Sequence, residues 1–495
     1  MDISTAFESP LTVKTNWLLL PIWKNGDLSP AISAVDEKLG GVITRLRERE
    51  DFTGKANQLT PLHQCDGIVA ERVLLVGLGK AEEADLRGLF LAAATAAKSV
   101  TGSAHDKISL LLPEVPAALS AADMTRSFVT GLAYGSEGPG LHKSKTEKFP
   151  PKTIEILGAD NADKDFVTTA GNFAGALARG VSLTRELVNM PPCDLYPETF
   201  AKRAEEVAKK VNIECLVMDE KRIVEEKMGS LMGVAQGSDK PPRVVVLKYT
   251  GKPGGKTLGL VGKGVTFDSG GLSLKPSDGM LDMKCDMAGA GTVLGAVQAI
   301  AELKLPVNVV AVLALVENMP SGKALKLGDV LHARNGKTIE IHNTDAEGRL
   351  ILADALAYAV DQKVDNLVDL ATLTGAYMVA LGMEVNGLMT NDDTWRHKVE
   401  AAAKQAGELV WALPMFPLYN ELISSHVADI KNTGGSRWGG AITAAKLLEE
   451  FVGDVPWVHL DIAGPAWKDS PSASSEAGGT GTMVKTLVEL ARTYE

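Results

Sequence analysis

Hydrophobic and polar positions along this chain predict strands and helices that alternate from one end to the other. Short apolar runs of Val, Leu and Ile are typical of buried strands, whereas apolar residues three and four apart indicate helices. The predicted strands cover residues 17–22, 72–76, 108–112, 153–157, 243–249, 257–261, 307–316, 338–341, 366–370 and 457–462. The predicted helices cover residues 86–100, 163–189, 198–211, 287–303, 348–361, 395–406 and 442–451. This alternation predicts an α/β fold with a central mixed, largely parallel sheet that is flanked by helices.

The length of the chain predicts more than one domain, because 495 residues exceed what a single hydrophobic core usually organises. We expect a smaller N-terminal α/β domain over residues 1–160 and a larger C-terminal α/β domain over residues 191–495. A connecting helix is predicted over residues 161–190. Pro191 and Pro192 end it, because proline interrupts helical hydrogen bonding.

Composition narrows the classes of partner. The formal net charge of −11 gives no general attraction to nucleic acid or to an anionic membrane. Cys65, Cys193, Cys215 and Cys285 lie far apart with no CxxC pair, which is typical of a reducing compartment and not of a disulfide framework. The N-terminal segment lacks the apolar core of a signal peptide, and no early apolar run is long enough to span a bilayer. We therefore expect a cytoplasmic protein with no membrane partner.

The octapeptide NTDAEGRL, residues 343–350, is the most informative motif in the chain. It lies where the predicted strand 338–341 gives way to the predicted helix 348–361. In an extended segment, residues two apart face the same side, so we expect Asp345 and Glu347 to point into one site. Two carboxylates this close repel each other unless a cation lies between them. The motif therefore predicts a metal site.

A second group of charged residues follows the predicted strand 257–261. The Gly-rich segment 262–271 contains Lys263 and Asp268, and Lys275 and Asp286 come shortly after it. Ligands of α/β proteins gather at the carboxyl ends of strands, where both groups of charged residues lie. Carboxylate oxygens suit a pair of hard divalent cations, so the sequence predicts a two-metal site.

Each of these residues also has a structural alternative. Asp268 and Asp286 could be helix caps or turn residues, which is the commoner role of an isolated Asp. Lys263 between glycines suggests a phosphate loop, but the pattern GxxxxGK[ST] is absent at this position. Arg349 at a helix start could pair with a surface acid. The helix dipole disfavours a cation there, so a bound anion explains Arg349 better.

The two motifs together resemble the leucyl aminopeptidase family, the cytosol-type dinuclear metallo-exopeptidases that include bacterial aminopeptidase A. The resemblance rests on GKGVTFDSGGLSLKP at residues 262–276 and on NTDAEGRL at residues 343–350. Further similarity lies in DMKCDMAG at 282–289, DLATLTG at 369–375 and GGAITA at 439–444. It is dense from about residue 189 onward and implies that the C-terminal domain is catalytic.

The resemblance implies a ligand set for two divalent ions, Mn²⁺ or Zn²⁺. The implied ligands are Lys263, Asp268, Asp286, Asp345 and Glu347. Asp268 and Glu347 would bridge the ions, Lys263 and Asp286 would serve the tighter site, and Asp345 would serve the more exchangeable one. In this family a water activated by the two metals attacks the scissile carbonyl, and one ion holds the free amine of the substrate.

The resemblance also implies catalytic and substrate-binding roles. Lys275 would donate to the developing oxyanion. Arg349 would hold a bicarbonate ion that acts as general base. The implied substrate-binding residues are Met283, Asn343, Thr372, Leu373, Gly375 and Ala463, although Met283 could equally be core packing. The expected substrates are peptides with a free N-terminus, preferably leucine or a similar apolar residue, and the expected assembly is a homohexamer.

Two other functions compete with this interpretation. Carboxylate-bound metal pairs also serve phosphoryl transfer, so a dinuclear phosphoesterase is one alternative. DNA binding is the other, since some bacterial members of the family bind DNA as an additional role. The acidic net charge of −11 does not favour DNA binding.

Overall fold

The computed structural model describes residues 1–24, 26–117, 119–158 and 164–495. Its internal contacts divide the chain into two compact units. The first unit comprises Met1–Arg179, Gln405–Gly407 and Asp469–Ala477, and the second comprises Gly180–Lys404, Glu408–Lys468 and Gly478–Glu495. The predicted domain limit between residues 160 and 161 lies outside the described residues, and the predicted division into three segments stays a prediction.

The first unit is built around a sheet that is parallel except at one edge. Its strands are β1 (Asp2–Ala6), β2 (Trp17–Ile22), β3 (Leu59–Leu62), β4 (Val73–Gly77), β5 (Lys107–Leu111) and β6 (Thr153–Leu157). Its helices are α1 (Pro30–Lys38), α2 (Val42–Glu48), α3 (Leu86–Val100) and α4 (Ala121–Ser136), with a 3₁₀ helix at Ala81–Glu83. The strand order is β1-β6-β5-β2-β4-β3, and β3 is antiparallel to β4. Strands β2 and β4 are buried throughout because apolar side chains pack on both faces of the sheet.

Helix α5 (Lys164–Asn189) leads into the second unit. The strands that follow are β7 (Glu214–Met218), β8 (Arg243–Thr250), β9 (Thr257–Asp268), β10 (Asn308–Asn318), β11 (Val330–His332), β12 (Thr338–Glu340), β13 (Asn366–Ala371), β14 (Asn386–Thr390), β15 (Val410–Ala412), β16 (Ile430–Lys431), β17 (Trp457–Asp461), β18 (Trp467–Lys468) and β19 (Gly478–Gly479). The helices are α6 (Pro197–Val211), α7 (Glu220–Glu225), α8 (Gly229–Ala235), α9 (Ser277–Met280), α10 (Ala288–Glu302), α11 (Gly348–Asp361), α12 (Gly375–Leu381), α13 (Asp393–Ala406), α14 (Gly440–Glu449) and α15 (Val484–Arg492). Two 3₁₀ helices lie at Met283–Met287 and Pro417–Ile423.

The main sheet of the second unit is mixed, with a parallel centre. Its strand order is β15-β14-β17-β13-β9-β10-β8-β7. Strands β17, β13, β9 and β10 run parallel to one another, whereas β14, β8 and β7 introduce antiparallel pairs. Helices cover the central strands, which is why β10 is apolar and buried along almost its whole length. The predicted α/β class with a mixed, largely parallel sheet is confirmed.

Strand β9 is longer than predicted. The prediction ended it at residue 261 because the glycines that follow read as a loop, but β9 continues to Asp268. It does so because β10 pairs with it as far as Asn318. A bulge interrupts the pairing: Val265 pairs with Val316 and Phe267 with Glu317, which leaves Thr266 as an extra residue. The extra residue shifts the side-chain alternation by one position, so Lys263 and Asp268 face the same side of the sheet.

Residues 343–347 of the octapeptide are not extended, contrary to the prediction, whereas residues 348–350 begin α11 as predicted. Strand β12 ends at Glu340, and the residues before α11 form a turn in which Asn343 Oδ1 accepts a hydrogen bond from the Asp345 amide at 2.9 Å. This is the local hydrogen bonding by which an Asn side chain competes with a strand. The turn, and not strand alternation, therefore orients Asp345 and Glu347.

Helix α10 lies unusually close to the central strands. A β-carbon at Gly289 would stand 2.1 Å from the Leu370 carbonyl oxygen of β13, so only glycine fits at this position. The close approach brings the preceding 3₁₀ helix, which carries Asp286, against β9.

No helix in the described part of the chain is both long enough and apolar enough to cross a bilayer.

Asp354 of α11 is a fully buried acid. Its Oδ2 accepts a hydrogen bond from the Leu231 amide at 2.8 Å, and its Oδ1 accepts one from the Arg334 amide at 2.7 Å. Burial raises the pKa of Asp354 to about 7, against the opposing effects of these hydrogen bonds and of the Arg334 charge.

We predict that Asp354→Asn removes part of the pH dependence of stability. Between its ordinary pKa of 3.8 and the folded pKa of about 7, the native state keeps a proton that the unfolded chain has lost. As the pH rises through this window, the free energy of unfolding of the wild type should therefore fall by at most about 1.4 kcal/mol per pH unit relative to the variant. Urea unfolding of both metal-loaded proteins over a pH series measures the difference. Parallel curves would contradict the prediction.

Candidate active site

Four parallel strands end at one edge of the main sheet of the second unit, and each brings a polar residue there. Asp268 ends β9, Asn318 ends β10 and Asp461 ends β17, while Thr372 follows β13 directly. All four residues are buried. Carboxyl ends of adjacent parallel strands form the usual ligand-binding edge of an α/β sheet. The carboxyl ends of these strands, where the sequence predicts the site, therefore form a buried polar edge of the sheet.

Lys263 joins two of the predicted acids. Its Nζ lies 2.7 Å from Asp286 Oδ1 and 2.9 Å from Glu347 Oε1, and the three side chains are almost completely buried. A β-carbon at Gly348 would stand 2.8 Å from Lys263 Nζ, so the glycine of the octapeptide makes room for this lysine. The strand, the 3₁₀ helix and the octapeptide thus meet at one ammonium group.

Lys275 joins the other two predicted acids. Its Nζ lies 2.9 Å from Asp268 Oδ2 and 2.6 Å from Asp345 Oδ1. Asp345 is the most accessible member of the cluster, with 31% of its side chain exposed, whereas the Asp268 side chain is 3% exposed. The structure therefore brings together all five residues predicted as metal ligands, with Asp345 at the outer edge.

Electrostatics in the cluster oppose ionised acids. Burial raises the pKa of Asp286 and of Glu347, and the charge of Asp268 raises both further. Burial and the same neighbouring charge raise the pKa of Asp345. Burial alone would lower the pKa of Lys263, but the charges of Asp286, Glu347 and Asp268 outweigh it, so its pKa is raised. A concentrated negative field that stabilises ammonium groups also attracts a divalent cation.

The donor atoms fit a metal ion on independent grounds. Oxygens of Asp268, Asp286 and Glu347 lie within 4.8 Å of one another. Among the described residues, Asp286 Oδ2 and Glu347 Oε2 are buried and have no hydrogen-bond partner. Buried carboxylate oxygens are normally paired, so two unpaired ones in one cluster indicate a ligand. Hard oxygen donors are those that Mg²⁺, Mn²⁺ or Zn²⁺ accept.

Asn318 orients the acid cluster through hydrogen bonds to Asp268 and to the Thr344 backbone, and the sequence analysis missed it. Its Nδ2 donates to Asp268 Oδ1 at 2.8 Å and to the Thr344 carbonyl at 3.0 Å. It therefore connects the acid at the end of β9 to the octapeptide. The available signal was a polar residue at the end of the apolar run of β10, but strand ends often carry one.

Asn432 holds the octapeptide from the other side, and it too was missed. Its Oδ1 accepts from the His342 amide at 2.8 Å, and its Nδ2 donates to the Asn343 carbonyl at 2.6 Å. Its own carbonyl accepts from Arg349 Nη1 at 2.8 Å. These partners lie more than eighty residues away in the sequence, and no local pattern marks Asn432.

Arg349 is buried with part of its guanidinium unpaired. It is 8% exposed, and within the described chain its Nε has no hydrogen-bond partner. Burial lowers the pKa of Arg349 to about 10, although the charges of Glu347 and Asp461 oppose the change, so it stays a cation at neutral pH. A buried cation with a free donor is suited to hold an anion.

The predicted substrate-binding residues occupy several segments of the second unit. Met283, Asn343, Leu373 and Ala463 are half-buried, and Gly375 is exposed at the start of α12. Thr372 differs from them, because its Oγ1 donates to Asp286 Oδ1 at 2.8 Å and its carbonyl accepts from Lys263 Nζ at 2.9 Å. Thr372 therefore contacts two predicted metal ligands.

Comparisons with known proteins agree along the whole chain. Residues 182–488 match the cytosol aminopeptidase family, catalytic domain, and residues 19–146 match the N-terminal domain of the same family. A "Probable cytosol aminopeptidase" of Syntrophotalea carbinolica is 42% identical over 494 residues, which cover 99% of either chain. One of Rhodopirellula baltica is 45% identical over 458 residues, covering 92% of this chain and 88% of that protein.

Solved structures give the same result. A mutant of tomato leucine aminopeptidase is 35% identical, with a TM-score of 0.88 over 99% of this chain and 96% of that one. The bottromycin maturation enzyme BotP in complex with Mn is 36% identical, with a TM-score of 0.84 over 96% of this chain and 99% of that one. Both matches extend over the catalytic and N-terminal parts. The chain therefore belongs to the cytosol aminopeptidase family and is a metal-dependent N-terminal exopeptidase.

Proposed function

We propose that this enzyme removes a leucine or a similar apolar residue from the N-terminus of peptides, using two divalent ions, Mn²⁺ or Zn²⁺. The proposed ligands are Lys263, Asp268, Asp286, Asp345 and Glu347. The observation that carries the proposal is the pair of buried, unpaired oxygens, Asp286 Oδ2 and Glu347 Oε2, inside a cluster of acids. When bound, the ions supply Lewis-acid activation of water and of the scissile carbonyl.

Burial supports the division of ligand roles. Lys263 and Asp286 are almost fully buried and belong to the tighter site, whereas the partly exposed Asp345 belongs to the exchangeable site. Asp268 and Glu347 would bridge the sites, which agrees with their oxygens lying within 4.8 Å of each other and of Asp286. The lysine ligand must lose its proton to coordinate a metal.

Lys275 is the proposed electrophile. Its ammonium lies between Asp268 and Asp345, and burial alone would lower its pKa, but these carboxylates outweigh that effect and raise it. It therefore keeps its proton and donates a hydrogen bond to the carbonyl oxygen of the scissile bond as negative charge develops there.

Arg349 is the proposed holder of a bicarbonate ion. The unpaired Nε and the burial of its guanidinium support this role, because a desolvated cation binds a planar anion strongly. Asn432 fixes the opposite edge of the guanidinium through its carbonyl. When bound, the anion held by Arg349 would supply a general base for proton transfer to the leaving amine.

The proposed substrate-binding residues are Met283, Asn343, Thr372, Leu373, Gly375 and Ala463. The apolar side chains among them, of which Leu373 and Ala463 are half-buried, support a preference for an apolar first residue. The contacts of Thr372 with Lys263 and Asp286 support a position for it beside the ions.

We also propose a cytoplasmic homohexamer that acts in peptide turnover. Large apolar side chains of the second unit support self-association: Trp411 is 65% exposed, Phe416 58% and Leu418 64%. The name of the relatives, cytosol aminopeptidase, supports the compartment. DNA binding as an additional role stays a prediction.

We predict that the purified protein hydrolyses leucine p-nitroanilide, that a chelator abolishes the activity and that Mn²⁺ restores it. N-acetyl-leucine p-nitroanilide is the matched control, because it lacks the free amine and should not be cleaved. Hydrolysis of p-nitrophenyl phosphate without hydrolysis of leucine p-nitroanilide would favour the phosphoesterase alternative. Failure to cleave any substrate with a free amine would overturn the proposed function.

We predict that Lys275→Ala lowers kcat by at least about 100-fold with metal content unchanged, because it removes a donor to the developing oxyanion. Metal analysis and steady-state kinetics measure the two quantities. Lys248→Ala is the matched control, since Lys248 is a half-buried lysine that donates to Gln362 at 2.9 Å, outside the acid cluster. Loss of metal together with activity would assign Lys275 to the coordination shell.

We predict that Asn318→Ala weakens Mn²⁺ binding by about 10- to 100-fold, because Asp268 loses the hydrogen bond that orients it. Equilibrium dialysis measures the affinity. Asn308→Ala is the control from the other end of the same strand, where Asn308 binds the Lys252 backbone. Equal metal affinity of the two variants would contradict the role of Asn318.

A further inference from the structure

Asp461 is a completely buried carboxylate at the end of β17 with no assigned role in the reaction. Its Oδ1 accepts hydrogen bonds from the amides of Leu373 at 3.0 Å, Thr374 at 3.4 Å and Ala463 at 3.3 Å. Its Oδ2 accepts from Thr374 Oγ1 at 2.7 Å. One side chain therefore joins the segment after β13 to the segment after β17.

A carboxylate suits this position better than any neutral side chain. Several donors converge on Asp461, and an ionised carboxylate accepts more hydrogen bonds, and stronger ones, than an amide or a hydroxyl. The cation Arg349 interacts electrostatically with Asp461. Asp369 and Asp461 raise the pKa of His459 against the opposing effect of burial. His459 is itself held by Asp369, with Nδ1 and Oδ1 2.7 Å apart.

The segment after β13 is fastened at its other end to the predicted metal ligands. The carbonyl of Thr372 accepts from Lys263 Nζ at 2.9 Å, and Thr372 Oγ1 donates to Asp286 Oδ1 at 2.8 Å. Residues 372–374 thus form a strap between the ligands Lys263 and Asp286 on one side and Asp461 on the other. Leu373, one of the proposed substrate-binding residues, which are called cleft residues below, lies in the middle of the strap.

We propose that Asp461 is the positioning residue that sets the first-residue selectivity of the enzyme. By holding the strap and the Ala463 amide on one carboxylate, it fixes where the cleft residues Leu373 and Ala463 stand relative to the metal ligands. The size of the accepted side chain depends on that spacing, because a few tenths of an ångström decide whether a branched side chain packs or clashes. This inference rests on the proposed aminopeptidase function.

The test compares leucine and alanine p-nitroanilides on the metal-loaded enzyme and its variants. In Asp461→Ala the ratio of kcat/KM for leucine over alanine should fall by roughly tenfold, mainly through a higher KM for leucine, with metal content unchanged. Asp461→Asn should lie between wild type and Asp461→Ala, because its amide oxygen still accepts from Leu373 and Ala463. Thr374→Val, which loses only the bond to Oδ2, should shift the ratio less and in the same direction.

Asp354→Asn is the matched control for a merely structural effect. Asp354 is likewise a buried aspartate that accepts backbone hydrogen bonds, but its partners Leu231 and Arg334 are not among the proposed cleft residues. This variant should leave the leucine-to-alanine ratio at the wild-type value.

The inference is overturned if the Asp461 and Thr374 variants change both substrates by the same factor, or if Asp354→Asn shifts the ratio as much. If Asp461→Ala does not fold, Asp461→Asn and Thr374→Val decide. A lower leucine-to-alanine ratio of kcat/KM in both variants supports the inference, and a wild-type ratio in both overturns it. Failure of the proposed function is a separate result, because the wild type would then cleave neither substrate.

Discussion

The crowding of buried acids at one edge of a parallel sheet is the constraint on which the rest of this structure depends. Asp268, Asp286 and Glu347 lie close enough that their ionised forms repel one another, and burial removes the water that would screen them. Lys263 and Lys275 offset this repulsion by lying between the acids. A site of this kind is stable only with positive charge in it, which is also the condition for binding divalent metal ions.

The surrounding fold can be understood as the means of holding that charge in place. The bulge at Thr266 turns Lys263 and Asp268 to the same face of the sheet. Gly289 lets the helix that follows Asp286 lie against the strands, and Gly348 leaves space for the side chain of Lys263. These features carry no chemistry themselves, yet each would move a ligand if it were changed.

Asparagines and one aspartate extend this control outward from the ions. Asn318 holds Asp268, and Asn432 holds both the octapeptide and Arg349. Asp461 holds the strap over residues 372–374, whose other end contacts Lys263 and Asp286. The groups proposed for catalysis and the groups proposed for selectivity are thereby parts of one hydrogen-bonded network.

The sequence by itself determined the α/β class, about half of the strands and helices, and the residue types of the site. It did so because periodicity and motif composition are local properties: the predicted limits of β2, β6, α3 and α11 coincide with the observed ones. Tertiary structure decided the rest. Strand β9 extends past its glycines because β10 pairs with it, and the octapeptide turns where alternation predicted a strand. Asn432 and Asp461 gain their importance from partners more than eighty residues away, and only the folded chain brings those partners together.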